Sequence, residues 1–173
     1  RDAIELRTFI DRTDGLVAAR DTTATDTSET QLFSDATSTN PLSSLITLNG
    51  SEFVVSAVDT GRVNAILRRP DVRVLLPVEG QIASGVVEDN QQGQRVQSYY
   101  YIDAKPKMTG ASLEDAFPET GSAQDISNVG LAQVGFTTTD EGAREFASIT
   151  GNNIGKRMAI ILDGRVFSAP TIQ

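Results

Sequence analysis

The sequence predicts an α+β fold: a mostly antiparallel β-sheet with helices packed on one face, closing on a C-terminal β-α-β-β unit. Three observations predict it. Short runs rich in Val, Ile and Tyr, such as Phe53–Val58 and Arg95–Asp103, are bounded by turn residues and read as strands. Apolar residues at helical spacing mark helices near the start, after Asp59 and after Thr139. The last third runs strand, capped helix, strand and return strand.

The first helix is expected over residues 2–13, where Leu6, Phe9, Ile10 and Thr13 share a face and Asp14–Gly15 stops it. Residues 20–40 change character. Thr22, Thr23, Thr25, Thr27, Ser28 and Thr30 sit among acids, so a flexible insertion is expected, with little apolar area to offset chain entropy. After the strand Phe53–Val58, Asp59 or Thr60 caps a helix whose Val63, Ile66 and Leu67 share a face, and Pro70 ends it. Asp71–Leu76 is a short turn of helix or strand. Gln81–Val87 and Arg95–Asp103 form two strands joined through Gly93, and Tyr99-Tyr100-Tyr101 favours a strand with tyrosines on a wet face.

Between residues 105 and 128 the sequence predicts a loop, a short helix near Ser112–Phe117, and a second loop around Gly121. Leu131–Thr138 is a strand. Thr138-Thr139-Asp140-Glu141 has the capping-box pattern that satisfies free amides at a helix start. Ala143, Phe146, Ala147 and Thr150 then line one face, and Gly151–Asn152 stops the helix. Met158–Leu162 is a continuous apolar run, expected at the centre of its sheet. Asp163–Gly164 is a two-residue hairpin signal, returning through Arg165–Ala169. Phe146 and Ile160 are the expected core contacts of this last helix and its sheet.

The 173 residues suffice for one ordinary domain. Aromatic residues make up only 6% and Trp is absent, so the core must be aliphatic with a few Phe. A net charge of −8 argues against nucleic-acid partners, which need basic footprints, and against adhesion to anionic lipid. No run of about 18 apolar residues exists, so no segment is expected to span a bilayer. The chain opens on Arg-Asp-Ala-Ile and ends on Pro170-Thr171-Ile172-Gln173 after a strand-like run, as expected of a piece of a longer protein.

Cys and His are both absent. Nucleophile–base arrangements built on them are excluded, as are thiolate and imidazole metal sites. No cofactor or metal is expected. The acid pairs Glu114–Asp115 and Asp140–Glu141 are candidates for carboxylate chemistry, but both are expected at helix N-termini, where acids favour the dipole. The stretch Gly151-Asn152-Asn153-Ile154-Gly155-Lys156-Arg157 lacks the Ser or Thr of a phosphate loop and follows a helix, so it reads as a turn.

A family resemblance enters through the last third. Glu141-Gly142-Ala143, Phe146, Ile149-Thr150, Asn153, Gly155-Lys156, Ala159-Ile160, Leu162-Asp163-Gly164, Val166 and Ser168-Ala169-Pro170 follow the signature block of the SecD family. Met108-Thr109-Gly110 with Leu113 and Ala116 is similar to an upstream family segment, with Met108 in place of the usual Leu. Asn40-Pro41-Leu42, Arg69-Pro70-Asp71-Val72 and Leu75-Leu76-Pro77 look like the longer heads of fused SecD–SecF proteins. The resemblance covers residues 105–173 well and 40–104 loosely.

This resemblance implies a single periplasmic head domain over 1–173, part of a cytoplasmic-membrane subunit whose transmembrane helices lie elsewhere. It implies no enzyme activity. The implied role is capture of unfolded preprotein and movement that aids export driven by the proton-motive force, beside SecF and the SecYEG channel. Ala169, Pro170 and Thr171 are the hinge candidates of such a movement. A carboxylate-pair hydrolase and a structural spacer are the alternatives. The preprotein-binding surface is unknown from sequence; exposure of Phe33, Leu45, Tyr99, Tyr101 and Phe117 is the observation that bears on it.

Overall fold

The computed structural model describes residues 2–21, 41–120 and 132–173; the expected insertion over 20–40 lies almost wholly outside them. In chain order the elements are α1 (Asp2–Asp21), α2 (Leu42–Leu45), β1 (Ile46–Asn49), β2 (Glu52–Ser56), α3 (Thr60–Leu67), α4 (Pro70–Arg73), β3 (Gly80–Asp89) and β4 (Arg95–Asp103). A 3-10 turn (Gly110–Ser112) leads to β5 (Leu113–Thr120), β6 (Ala132–Thr138), α5 (Asp140–Gly151), β7 (Ile160–Leu162) and β8 (Arg165–Ser168). One sheet has six strands in the order β1-β2-β4-β3-β8-β7, and β5 and β6 form a second. All pairings are antiparallel except that of β3 with β8. Contacts divide the chain into two compact units, residues 1–104 with 159–169, and residues 105–158 with 170–173. Among the described residues no helix is long and apolar enough to cross a membrane.

The core of the first unit lies where α1–α4 meet β2 and β4. Leu6, Phe9, Ile10, Leu42, Phe53, Val55, Val63, Ile66, Val72 and Tyr99 form one buried cluster. Phe53 sits opposite Tyr99, and Val55 opposite Gln97, so period-2 alternation puts all four on one sheet face. The Phe53 and Tyr99 rings stack with centroids 5.1 Å apart. The Tyr99 hydroxyl reaches Asn64 of α3 and the Tyr101 hydroxyl donates to Glu5 of α1 at 2.9 Å, which fixes both helices to that same face. The three tyrosines therefore do not share a wet face: Tyr99 is core, and its two neighbours are half-buried.

α1 runs past Asp14–Gly15, correcting the expected stop. The apolar stripe of Leu6, Phe9, Ile10 and Thr13 continues through the half-buried Leu16 and the buried Val17. Burying such side chains gains about 1.5–3 kcal/mol each, more than the ~1 kcal/mol that an internal glycine costs. Asp14 instead accepts hydrogen bonds from Ser43 N at the start of α2. Asp59 is the N-cap of α3 without a side-chain cap bond, and its carboxylate pairs with Arg62. Pro70 opens α4 at its first position, where a missing N–H costs nothing.

β3 carries one extra residue between Ser84 and Val87 opposite β4. Gly85 sits in this bulge, accepts from Gln97 Nε2 at 2.8 Å, and pairs with Val166 of β8. The β7–β8 hairpin thus joins the sheet at an irregularity that re-aims the strand edge.

In the second unit three expectations are corrected. Ser112–Phe117 is no helix: after the 3-10 turn the chain is strand, because Pro118 biases Phe117 to extended backbone and β6 offers a register of Ala116–Phe136 and Pro118–Val134 pairs. The N-cap of α5 is Thr139, whose Oγ1 accepts from Gly142 N at 3.0 Å, one residue later than the expected box. The packed face of α5 is Gly142, Phe146 and Ile149, while Ala143 and Ala147 are exposed. Phe146 is half-buried, edge-on to Phe136 at 5.7 Å.

The C-terminal β-α-β-β succession is present as β6-α5-β7-β8, but β6 belongs to the two-stranded sheet and β7–β8 to the six-stranded one. Met158–Leu162 is not central. Only Ile160–Leu162 is strand, it ends the six-strand order, and Ile160 is 39% exposed; an apolar run reports hydrophobicity without reporting how many neighbours cover it.

Candidate peptide-binding edges

Asp163 and Gly164 both take positive φ, 49° and 75°, as the tight turn of a two-residue hairpin requires. The turn folds β8 back on β7, pairing Ile160 with Ser168, Ile161 with Val166 and Leu162 with Arg165. Val166 is buried, but Ile160, Ile161, Leu162 and Phe167 are 39–57% exposed. Beyond β7 no strand is paired among the described residues. β7 has no Pro or charged residue, common means of blunting an edge; its brevity and the irregular register at Ile160–Ile161 are its safeguards among the described residues. An open edge with apolar side chains is suited to accept an extended chain, since main-chain hydrogen bonds supply affinity and alternate side chains supply selectivity. The opposite margin, β1, exposes Leu48 among Thr47 and Asn49 and is more polar.

The second unit has its own apolar ribbon. Leu113, Phe117, Val134 and Phe136 are all substantially exposed. By register, Phe136 and Val134 lie on the face toward α5, with Phe117 on the other. Pro118 removes a donor from β5 and makes that strand a poorer acceptor of a new chain.

Two signature segments meet at the start of α5. Thr139 N donates to Ser112 O at 3.1 Å, and Ser112 Oγ donates to Glu145 Oε2 at 3.3 Å. A Cβ on the buried Gly142 would stand 2.5 Å from Ser112 O, so glycine is needed for this approach. A shallow, solvent-open hollow beside it is lined by Glu141, Arg144 and Glu145. Both acids are exposed and on one helix, without the water-excluding pocket that two-carboxylate catalysis uses. Glu114 and Asp115 are exposed on β5, not at a helix start, and Asp115 Oδ1 accepts from Ala116 N.

The other residues singled out by sequence separate clearly. Leu45 and Tyr101 are half-buried against the core, Tyr99 is buried, Phe117 is exposed, and Phe33 lies outside the described residues. Ala169, Pro170 and Thr171 follow β8. The chain passes between the two units at 104–105, 158–159 and 169–170, so these three residues flank one crossing. Pro170 O accepts from Met158 N at 2.9 Å, and Ile172 is bonded to Gly155 and Lys156. Sequence reasoning missed the exposed β7–β8 margin, because a run such as Ile160-Ile161-Leu162 is the usual signal of burial.

Residues 84–173 match the family described as SecDF, P1 head subdomain. The chain belongs to the SecDF P1 head family. It is 33% identical over 164 residues to protein translocase subunit SecD of Rhodothermus marinus, covering 90% of this chain and 25% of that protein. It is 47% identical over 68 residues to protein translocase subunit SecDF of Thermus thermophilus, covering 39% of this chain and 8% of that protein. A solved structure of SecDF, described as a membrane component that enhances protein export, is 22% identical over 99% of this chain and 74% of its own, with a TM-score of 0.34. The chain thus spans about a quarter of the length of the Rhodothermus relative. The SecDF P1 head match starts inside β3 and takes in β4–β8 and α5, while the Rhodothermus likeness extends well beyond residues 105–173.

Proposed function

We propose that this SecDF P1 head serves protein export by taking hold of extended, apolar polypeptide on the extracytoplasmic side of the membrane, without chemical turnover. The observation that carries this reading is the open β7 edge with Ile160, Ile161, Leu162 and Phe167 exposed; names of the relatives as translocase subunits support it. Within the longer protein the partners are SecF and the SecYEG channel, and proton flow supplies the work. Binding is weak, because a device that hands its cargo onward must release it. A micromolar dissociation constant, about −8 kcal/mol, permits release within about 0.1–10 s at ordinary association rates. Titration of a labelled, unfolded apolar peptide tests the reading. Leu162→Lys, which puts a charge on the edge, is expected to weaken binding about tenfold; unchanged affinity would overturn the role of the edge and favour a spacer.

Ala169, Pro170 and Thr171 are proposed as one hinge of the movement that follows capture. Pro170 restricts the backbone there, and the segment adjoins one of the three crossings between units. Cross-linking Thr171 to the membrane-proximal part of the full-length protein is expected to abolish export while peptide affinity stays intact; normal export by the cross-linked protein would remove the hinge.

A further inference from the structure

A second concave feature of the first unit takes no part in the β7 edge. Helices α3 and α4 and strands β3 and β4 border a solvent-open hollow of about 320 Å³. Arg68 and Arg73 line it, Leu67 and Ile82 supply apolar wall, and Asn64 and Tyr99 supply polar groups. The Tyr99 hydroxyl is 3.1 Å from Asn64 Oδ1 and 3.2 Å from Gln97 Oε1. Among the described residues, two cations and no acid thus line one hollow in a chain of net charge −8.

The neighbouring acids are engaged elsewhere. Asp59 pairs with Arg62 at 3.4 Å. Asp71 holds Arg69 in a fork, with Nε and Nη2 donating at 3.1 and 2.7 Å, and this bond raises the Arg69 pKa. Arg68 and Arg73 make no ion pair among the described residues. Each stands at a helix C-terminal end, where the dipole favours a cation, but that preference does not bring both guanidiniums to one hollow. A guanidinium fork matches a carboxylate, and the adjoining Leu67 and Ile82 suit an apolar flank. Burial raises the Tyr99 hydroxyl pKa, opposed by the Asn64 hydrogen bond and by Arg68, so it stays neutral and adds no anionic competitor at physiological pH.

We propose that the Arg68–Arg73 hollow binds a carboxylate carried on an apolar polypeptide segment, an Asp or Glu side chain or a terminal carboxylate. This rests on the polypeptide-binding reading above and adds a selectivity to it: cargo with an acidic residue beside apolar ones is held more firmly than cargo without.

The test is a titration of the whole chain, followed by the arginine Nε–H resonances, with acetyl-Thr-Leu-Glu-Leu-Thr-amide, its Gln-for-Glu counterpart, and inorganic phosphate. The Glu peptide is expected to shift the Arg68 and Arg73 resonances and to bind about tenfold more tightly than the Gln peptide. Arg68→Gln and Arg73→Gln, both at exposed positions, are each expected to erase most of that difference with melting unchanged. Added salt is expected to do the same. Equal binding of the two peptides would overturn the proposal. So would phosphate displacing the Glu peptide at lower concentration than the peptide itself needs, which would assign the hollow to free anions. Leu162→Lys separates the two readings: if it leaves total affinity unchanged while the Glu preference persists, the edge reading fails and the hollow stands. If it lowers affinity for both peptides equally and no preference exists, the edge stands and the hollow fails.

Discussion

Phe53-Val54-Val55 of β2 and Ile160-Ile161-Leu162 of β7 are equally apolar triplets in one sheet, and they end in opposite surroundings. Phe53 and Val55 are fully buried, while the β7 residues keep 39–54% of their surface. β2 is flanked by β1 and β4 and its inner face is covered by α1–α4. β7 has β8 alone. Composition sets what burial is worth; topology decides whether burial occurs. The same chemistry is a stabilising core in one place and a binding surface in the other.

The contrast makes its largest demand at Phe53. Phe53→Ala removes a ring stacked on Tyr99 and leaves a cavity under α1–α4, so it is expected to cost about 3–5 kcal/mol. Urea denaturation at constant m-value measures it. A loss below about 1 kcal/mol would mean that this centre is no better packed than the margin, and the comparison would break.

How much of this was legible in the sequence follows from the same contrast. The α+β class, the α3 helix, the β3–β4 pair and the Asp163–Gly164 hairpin each carry local signals: caps, turn residues and a clear period. What failed depended on distant partners. Gly15 does not stop α1, because Leu16 and Val17 find a core that local sequence does not reveal. Leu113, Ala116 and Phe117 fit helical and extended spacing alike, and the β6 partner decides for strand. The family was legible because the Glu141–Pro170 block is long and specific. The candidate site was not: exposure at Ile160–Leu162 and the convergence of Arg68 and Arg73 are properties of the folded sheet, invisible as spacing.

Phe146 supplies an intermediate point. It is half-buried, with Phe136 as its aromatic partner. The sequence alone makes it a core residue costing 3–5 kcal/mol on truncation; its partial exposure lowers the expected cost of Phe146→Ala to about 2 kcal/mol. A thermal or urea measurement near the full core value would place this ring with Phe53. Gly142 shows burial with no side chain at all. Gly142→Ala gains roughly 1 kcal/mol of helix propensity but drives a methyl into Ser112 O, at a cost of about 1–3 kcal/mol. A net loss near 1 kcal/mol is expected, and a stabilised variant would show that the Ser112 turn yields easily.

The smallest expected effect on stability is at the margin. Ile161 is 42% exposed and, among the described residues, paired only with β8. Ile161→Thr keeps the β-branched shape that suits a strand and withdraws apolar area that is already half in water. Its cost should stay within about 0.5 kcal/mol, the range of ordinary surface substitutions. Affinity for an extended apolar peptide should nevertheless fall severalfold, because the same side chain is a contact for an added strand. Folding and binding are thus read on one variant by two measurements, denaturation and titration. A stability loss approaching that of Phe53→Ala would mean that β7 is covered in the folded chain, and neither the contrast of the two triplets nor an accepting edge would survive. Unchanged stability with unchanged binding would leave β7 exposed but place the peptide contact elsewhere, with the Phe117 ribbon the next surface to test.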